Sequence, residues 1–336
     1  MGVPDVLVTR GVPAPVLERL TGRCEPDVWE GDGVMPRAEL LGRVAGKAGI
    51  MAMLTDRVDA ELLDRAGPDL QVVANYAVGY DNLDLHACTA RRVLATNTPD
   101  VVTEATADLA WALLLAAARR VAEGDRFLRA ARPWIWGPEF FLGTQVHGKT
   151  LGVLGLGRIG RAVARRAAGF GMPVLYHAGH RMAPDAEAAL GVAWRELDDL
   201  LAEADFLSIH TGLTAATRHL IGAAELRRMK PTAVLVNTAR GPIVDEAALA
   251  AALRAGEIRA AGLDVFEREP QVHPDLPGLD NVTLIPHLGT ATVETRVAMG
   301  MIALDNLLAA LDGRRPPHLL NPAALDRRGP GAPRPA

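Results

Sequence analysis

The feature that most constrains this chain is its alternation of short β-branched runs with Ala/Leu-rich stretches, repeated in two series. Apolar strands separated by helical stretches are the pattern of parallel sheets whose strands are joined by crossover helices. In the first series Val6–Thr9, Ile50–Leu54, Gln71–Ala74 and Val93–Thr96 read as strands, with helices such as Pro15–Leu20 and Ala60–Arg65 between them. In the second the strands are Leu151–Gly155, Val174–His177, Phe206–Ile209, Ala233–Asn237, Ala261–Asp264 and Val282–Ile285. A length of 336 residues is about twice that of one domain, which agrees with two cores. The expected fold class is α/β, built on doubly wound parallel sheets.

Between the series lies Thr103–Val121, an apolar stretch with Glu104 and Asp108 in its first turns and Arg119 and Arg120 in its last. Those charges match a helix dipole at both ends and predict one connecting helix. The following segment, Arg132–Lys149, gathers Trp134, Trp136, Phe140 and Phe141 in a chain only 4% aromatic, which suggests a packing surface to a second subunit. A last helix, Thr292–Leu311, comes too late for the second sheet and is expected to return to the first domain. The tail beyond Asn321 ends in RRGPGAPRPA and is expected to be disordered.

Composition removes several classes of function. With 49% apolar and 23% charged residues the chain is expected to fold. A net charge of −4 gives no basic surplus for nucleic acid or an anionic membrane. The two cysteines, Cys24 and Cys88, form no CxxC and no ligand spacing, so neither a disulfide framework nor a metal site is indicated. The most apolar run, Leu109–Ala118, falls well short of the ~20 residues that span a bilayer, and the amino end carries no leader pattern, so a cytoplasmic protein is expected. Only Lys47, Lys149 and Lys230 are lysines, so with arginine supplying 33 of the 36 basic residues no single Arg is informative by itself.

Gly155-x-Gly157-x-x-Gly160 stands between an apolar strand and an Ala-rich helix. In that context the first glycine permits the tight turn, the second lets the backbone approach a pyrophosphate, and the third lets helix and strand pack closely. The helix start offers unpaired N–H groups to phosphate. Some twenty residues on, the next strand should end in Asp or Glu to grip the ribose of NAD, yet Ala178 holds that place and is followed by His180 and Arg181. A carboxylate would repel a 2′-phosphate, whereas these two side chains offer it donors and charge. NADP(H) is therefore expected to be preferred, with NAD(H) possible.

Three segments fall at strand ends of the second series, where open parallel sheets place ligands: Asn237–Gly241, Gly262–Pro270 and Pro286–Gly289. They supply Arg240, Glu269 and His287. Reducing a ketone with a nicotinamide leaves negative charge on oxygen, so a proton donor working near neutral pH is required, and His287 is the natural choice. Glu269 beside it would orient the ring and favour its charged form. Arg240 can bind the carboxylate of a 2-oxo acid and polarise the adjoining carbonyl.

Taken in order, the glycine loop, NTARG, GLDVFEREP and PHLG resemble the D-isomer-specific 2-hydroxyacid dehydrogenase family from the first strand to Asn321. Within it the chain is most similar to glyoxylate/hydroxypyruvate reductases, through Met53–Arg57, Asn75–Asp81, Thr103–Leu109 and Trp136–Gly143. The resemblance implies that Arg240, Glu269 and His287 are catalytic. It implies two Rossmann-like domains, a catalytic one from 1–99 and 289–325 and a coenzyme domain, 100–288, inserted into it, with 326–336 as the tail. It implies cofactor contacts from Thr106, Gly155, Gly157, Arg158, Ile159, Gly160, Gly179, His180, Arg181, His210, Thr211, Thr217, Thr238, Ala239, Arg240, Asp264, His287 and Gly289. Leu54, Val78 and Gly79 would line the substrate pocket with Arg240 and His287, the amides of Val78 and Gly79 sharing the carboxylate. A homodimer around the coenzyme domain is implied, and the substrate would be a small 2-oxo or 2-hydroxy acid. Gly212 stands where the family usually carries proline. Two other readings keep much of this pattern: dehydrogenation of another D-2-hydroxy acid or of phosphite, and a dinucleotide-sensing corepressor, which needs regulatory extensions.

Overall fold

Strands buried on both faces satisfy their backbone groups only through neighbouring strands, and the apolar runs of each series pair in that way. In the computed structural model, which describes residues 2–326, the first sheet contains β1 (Asp5–Val8), β2 (Glu25–Val28), β3 (Gly49–Ala52), β4 (Val72–Asn75) and β5 (Leu94–Thr96) in the order β2-β1-β3-β4-β5. The second contains β6 (Leu151–Leu154), β7 (Val174–His177), β8 (Val192–Trp194), β9 (Phe206–Ile209), β10 (Val234–Asn237), β11 (Ala260–Leu263) and β12 (Val282–Leu284) in the order β12-β11-β10-β9-β6-β7-β8. Both sheets are parallel and both units are Rossmann-like. The units change over at Val102/Thr103 and Thr290/Ala291, so the second is one uninterrupted stretch and the first is assembled from both sides of it. Residues 327–336, which hold almost all of the expected tail, lie outside the described residues.

Two strands were not expected, and both are sheet edges. β2 reads EPDV and is only partly buried, and β8 has three residues. An edge strand keeps one side in water, so it tolerates a proline and needs no apolar run.

The expected connecting helix is shorter than the sequence suggests. It spans Thr103–Ala118, and Arg120 then adopts φ +55° and sends its guanidinium to Glu123 (2.6 Å) at the start of a new helix, Val121–Arg129. Arg119 and Arg120 therefore turn the chain instead of closing the first helix. The second helix buries none of its residues, and beyond it Trp134, Ile135, Trp136 and Leu142 are exposed.

Within the second unit Thr103–Ala118 packs on β10, β11 and the helix Arg158–Ala167. Its Trp111 stacks on Phe170 at 4.6 Å and donates Nε1–H to the Val163 carbonyl (3.1 Å). Burying such a ring contributes on the order of 2–3 kcal/mol. In the first unit Thr292 caps the helix Val293–Leu311 by accepting from the Thr295 amide, and the helix lies on β3 and β4. Asn306 donates to the Asn97 carbonyl, and Asn321 bonds the backbone at Val93 and Ala95, so the returning chain completes this core. Both cysteines are buried thiols, and burial pushes Cys88 up to about 12. Among the described residues no His/Cys/Asp/Glu group is placed to hold a metal, and no helix is long and apolar enough to cross a membrane.

Candidate active site

The strand order of the second sheet reverses at β6, whose neighbours are β7 on one side and β9 on the other, and the glycine loop follows β6 directly. Gly155 has φ +95°, and a Cβ there would stand 2.5 Å from the Thr211 amide nitrogen. A Cβ on Gly160 would come within 2.1 Å of the Gly155 carbonyl oxygen. Gly157 is different: a Cβ would meet nothing within 4 Å, so its backbone borders open space. The helix Arg158–Ala167 starts there with no side-chain cap, leaving its first amides for a phosphate. The hydroxyl of Thr238, just past β10, is buried without a hydrogen-bond partner among the described residues. An open glycine cradle, an uncapped helix start and an unpaired buried hydroxyl fit a dinucleotide.

The other expected contacts are spread around this loop. Thr106 is buried on the helix Thr103–Ala118, close to where a Cβ on Gly289 would stand. Ile159 is partly buried, Arg158 is exposed, and Ala239 is half-buried beside Arg240. His210 follows β9 and bonds Ser208 Oγ through Nε2 (2.7 Å); burial pushes its imidazole down to about 3, so it is a neutral group. Thr217 bonds the carbonyl of Gly212 (2.7 Å), closing the loop that lacks the proline.

Beyond β7, Gly179, His180 and Arg181 are exposed. The sequence offers Arg181 as a donor and positive charge for a 2′-phosphate. The structure also pairs its Nε and Nη2 with the two carboxylate oxygens of Glu187, at 2.9 and 3.0 Å. Nothing in the sequence ties these residues together except their separation of six positions.

Arg240, Glu269 and His287 are held by three backbone devices. Asn237 accepts from the Ala239 amide and donates to the Arg240 carbonyl, both at 3.0 Å, which fixes the turn after β10. Arg240 also donates to the Ala239 carbonyl (2.8 Å). Gly241 lies directly against the loop that carries Glu269, since a Cβ there would be 1.9 Å from the Phe266 carbonyl carbon. Glu269 accepts from the Phe266 amide through Oε1 (3.0 Å), and its Oε2 stands 2.8 Å from His287 Nδ1. Burial raises this carboxyl, but the hydrogen bond and charge of His287, the Phe266 amide and the charge of Arg240 outweigh it and hold the group below the usual carboxylate range. An ionised carboxylate can only accept, so Nδ1 carries the hydrogen and Nε2 is left for other chemistry.

His287 has φ +51°, in the left-handed region, and the next two amides explain how it is kept there. Asp264, fully buried, accepts from the Leu288 amide and from the Gly289 amide (2.8 Å). The family resemblance implies a cofactor contact at Asp264, and here both of its oxygens anchor the turn behind His287. Glu246 and Glu267 were missed: each carboxylate accepts from the other's backbone amide, at 2.9 and 2.7 Å, tying the helix Glu246–Ala255 to the Glu269 loop. In sequence Glu246 looks like an ordinary first-turn acid. In the first unit Val78 and Gly79 follow β4, their carbonyls taken by the side-chain amides of Asn97 and Asn75 (2.8 Å each), and Leu54 follows β3.

A glycine turn at the switch point of a parallel sheet, with titratable side chains gathered at neighbouring strand ends, is the organisation of a dinucleotide-dependent oxidoreductase. Residues 111–289 match the family described as D-isomer specific 2-hydroxyacid dehydrogenase, NAD binding domain. The glyoxylate reductase of Thermococcus onnurineus is 48% identical over 332 residues, 98% of this chain and 99% of the relative. Among solved structures, a Thermus thermophilus protein superposes with a TM-score of 0.87 at 46% identity, covering 94% of this chain and 99% of the other. The NADPH-dependent glyoxylate/hydroxypyruvate reductase of Sinorhizobium meliloti, in complex with NADP and malonate, does so with 0.83 at 35% identity, covering 96% and 98%. The chain belongs to the D-isomer specific 2-hydroxyacid dehydrogenase family.

Proposed function

We propose that the protein reduces a small 2-oxo acid, glyoxylate to glycolate and hydroxypyruvate to D-glycerate, with NADPH preferred to NADH. The observation that carries this reading is the His287–Glu269 pair at 2.8 Å, with Nε2 of the imidazole left unengaged by the carboxylate. The names of the relatives just described support the substrate class.

Gly155 to Gly160, Thr106, Thr211, Thr238 and Gly289 would hold the dinucleotide, with His180 and Arg181 toward its ribose. When bound, the dinucleotide supplies the hydride that reaches the carbonyl carbon. Arg240 binds the substrate carboxylate, a charge-assisted contact of about 1.5–3 kcal/mol, and orients the carbonyl. Leu54 and the amides of Val78 and Gly79 are proposed as further substrate contacts. His287 delivers the proton from Nε2 to the forming alkoxide. Glu269 holds the ring through Nδ1, which keeps Nε2 as the nitrogen that exchanges the proton with substrate.

A homodimer is part of the proposal, supported by the exposed aromatic segment and by a helix, Val121–Arg129, with no buried residue. Trp136→Glu should shift sedimentation from dimer to monomer. The activity is tested by following nicotinamide absorbance with glyoxylate, hydroxypyruvate and pyruvate in turn, using NADPH and NADH. His287→Ala should lose about 10²–10⁴-fold in kcat. Near wild-type turnover in that variant, or a clear preference for NADH, would overturn the corresponding assignment.

A further inference from the structure

We propose that Glu187 is the positioning residue for cofactor discrimination: it fixes the Arg181 guanidinium by one edge so that the opposite edge is presented to the 2′-phosphate of NADPH. This rests on the reading that Arg181 takes that phosphate.

Arg181 lies on the loop after β7 with 57% of its side chain exposed, and an exposed arginine normally samples many rotamers. Here it is held in one. Its Nε and Nη2 donate to the two oxygens of Glu187, and its Cζ lies over the Trp194 ring, 5.5 Å from the centroid. A guanidinium has five N–H donors. The side-on pairing uses the Nε hydrogen and one on Nη2, which leaves the Nη1 hydrogens and the second one on Nη2. One hydrogen of Nη1 and the remaining one on Nη2 lie along the end of the fork, the edge that can hold two phosphate oxygens at once.

Glu187 is itself anchored. It is buried on the helix Pro184–Leu190, and the hydroxyl of Tyr176, a fully buried residue of β7, donates to its Oε1 (2.7 Å). The same hydroxyl accepts from the Met182 amide (2.8 Å), so one tyrosine holds the acid that grips Arg181 and the backbone that follows Arg181. Hydrogen bonds from Arg181 and from Tyr176 hold the Glu187 carboxyl below the usual carboxylate range, which keeps it ionised at neutral pH.

A carboxylate behind the arginine also opposes a second anion in front of it. That repulsion acts across an exposed guanidinium and is screened by water and salt, whereas rotamer freedom lost in advance is no longer a cost of binding. Fixing the side chain therefore outweighs the repulsion, and Glu187 favours NADPH without touching it.

The test is direct binding of fragments to the full-length protein by calorimetry, without substrate, comparing 2′,5′-ADP with ADP. Glu187→Gln should weaken 2′,5′-ADP at least fivefold and change ADP by less than twofold, with the Kd values for NADPH and NADH following the same split. Unchanged or tighter 2′,5′-ADP binding in Glu187→Gln overturns the proposal. Arg181→Ala separates the two layers of the argument. If it leaves 2′,5′-ADP binding unchanged, the reading of Arg181 as the phosphate ligand fails and the proposal with it. If it weakens binding while Glu187→Gln does not, the positioning role alone fails. Should Glu187→Gln lose both fragments, Tyr176→Phe decides. It keeps both charges and removes the hydroxyl, so a selective loss of 2′,5′-ADP sustains the proposal and equal affinities for wild type and variant overturn it.

Discussion

Asp264 and Glu269 are five positions apart on one loop and are driven in opposite directions. Burial raises Asp264 against the pull of the Leu288 amide and His287, while the partners of Glu269 outweigh its burial and lower it. A carboxyl whose folded value is lowered binds protons less readily than in the unfolded chain. Its contribution to stability is thus complete above its ordinary value of 4.5 and is lost as the pH falls below that. Glu269→Gln should therefore flatten the fall of Tm between roughly pH 5 and pH 3, read by calorimetry, and identical slopes would refute the linkage. Asp264→Asn has another effect: its amide nitrogen cannot accept, so one of the Leu288 and Gly289 amides is orphaned. That costs about 1–3 kcal/mol, with a fall in Tm and in kcat as His287 loses its seat. Arg240, Glu269 and His287 could be picked out as candidates from the sequence because the chemistry proposed for them is carried by side-chain type, and the structure brings Glu269 and His287 together. The work of Asp264, Glu246 and Glu187 was not legible there, because it depends on which amides and donors face them, and a sequence does not record orientation.

At the level of elements, legibility followed burial. The central strands announce themselves because both faces are apolar, whereas β2 and β8 sit at edges and carry little pattern. The break at Arg120 was hidden because basic residues suit both a helix end and an ion pair to the next turn. One contact between elements joins fold to chemistry: Gly241, after β10, touches the backbone of the loop that carries Glu269. Both partners are backbone, so neither can swing aside. Gly241→Ala should push the two loops apart, destabilise the protein by about 1–3 kcal/mol, and lower kcat/KM on the order of 100-fold through misplacement of Glu269 relative to Arg240. A variant with unaltered kinetics would show that the loops yield without consequence.

For the molecule as a whole, the path of the chain matters more than the count of domains. The second unit is contiguous, while the core of the first needs Val293–Leu311, where Gly300 leaves room for Val16 and Tyr76. A chain stopped after Thr290 should keep protease-resistant, ADP-binding residues 103–290 while residues 2–102 are digested, as read by mass spectrometry of the fragments. Equal resistance of both parts would contradict this. The same path sets an order during synthesis. Residues up to Val102 leave the ribosome before their partner helix, which follows about 190 residues later, roughly 10–40 s at ~5–20 residues per second. For that interval the apolar seat on β3 and β4 has no cover, which makes this part of the nascent chain the natural client of a chaperone.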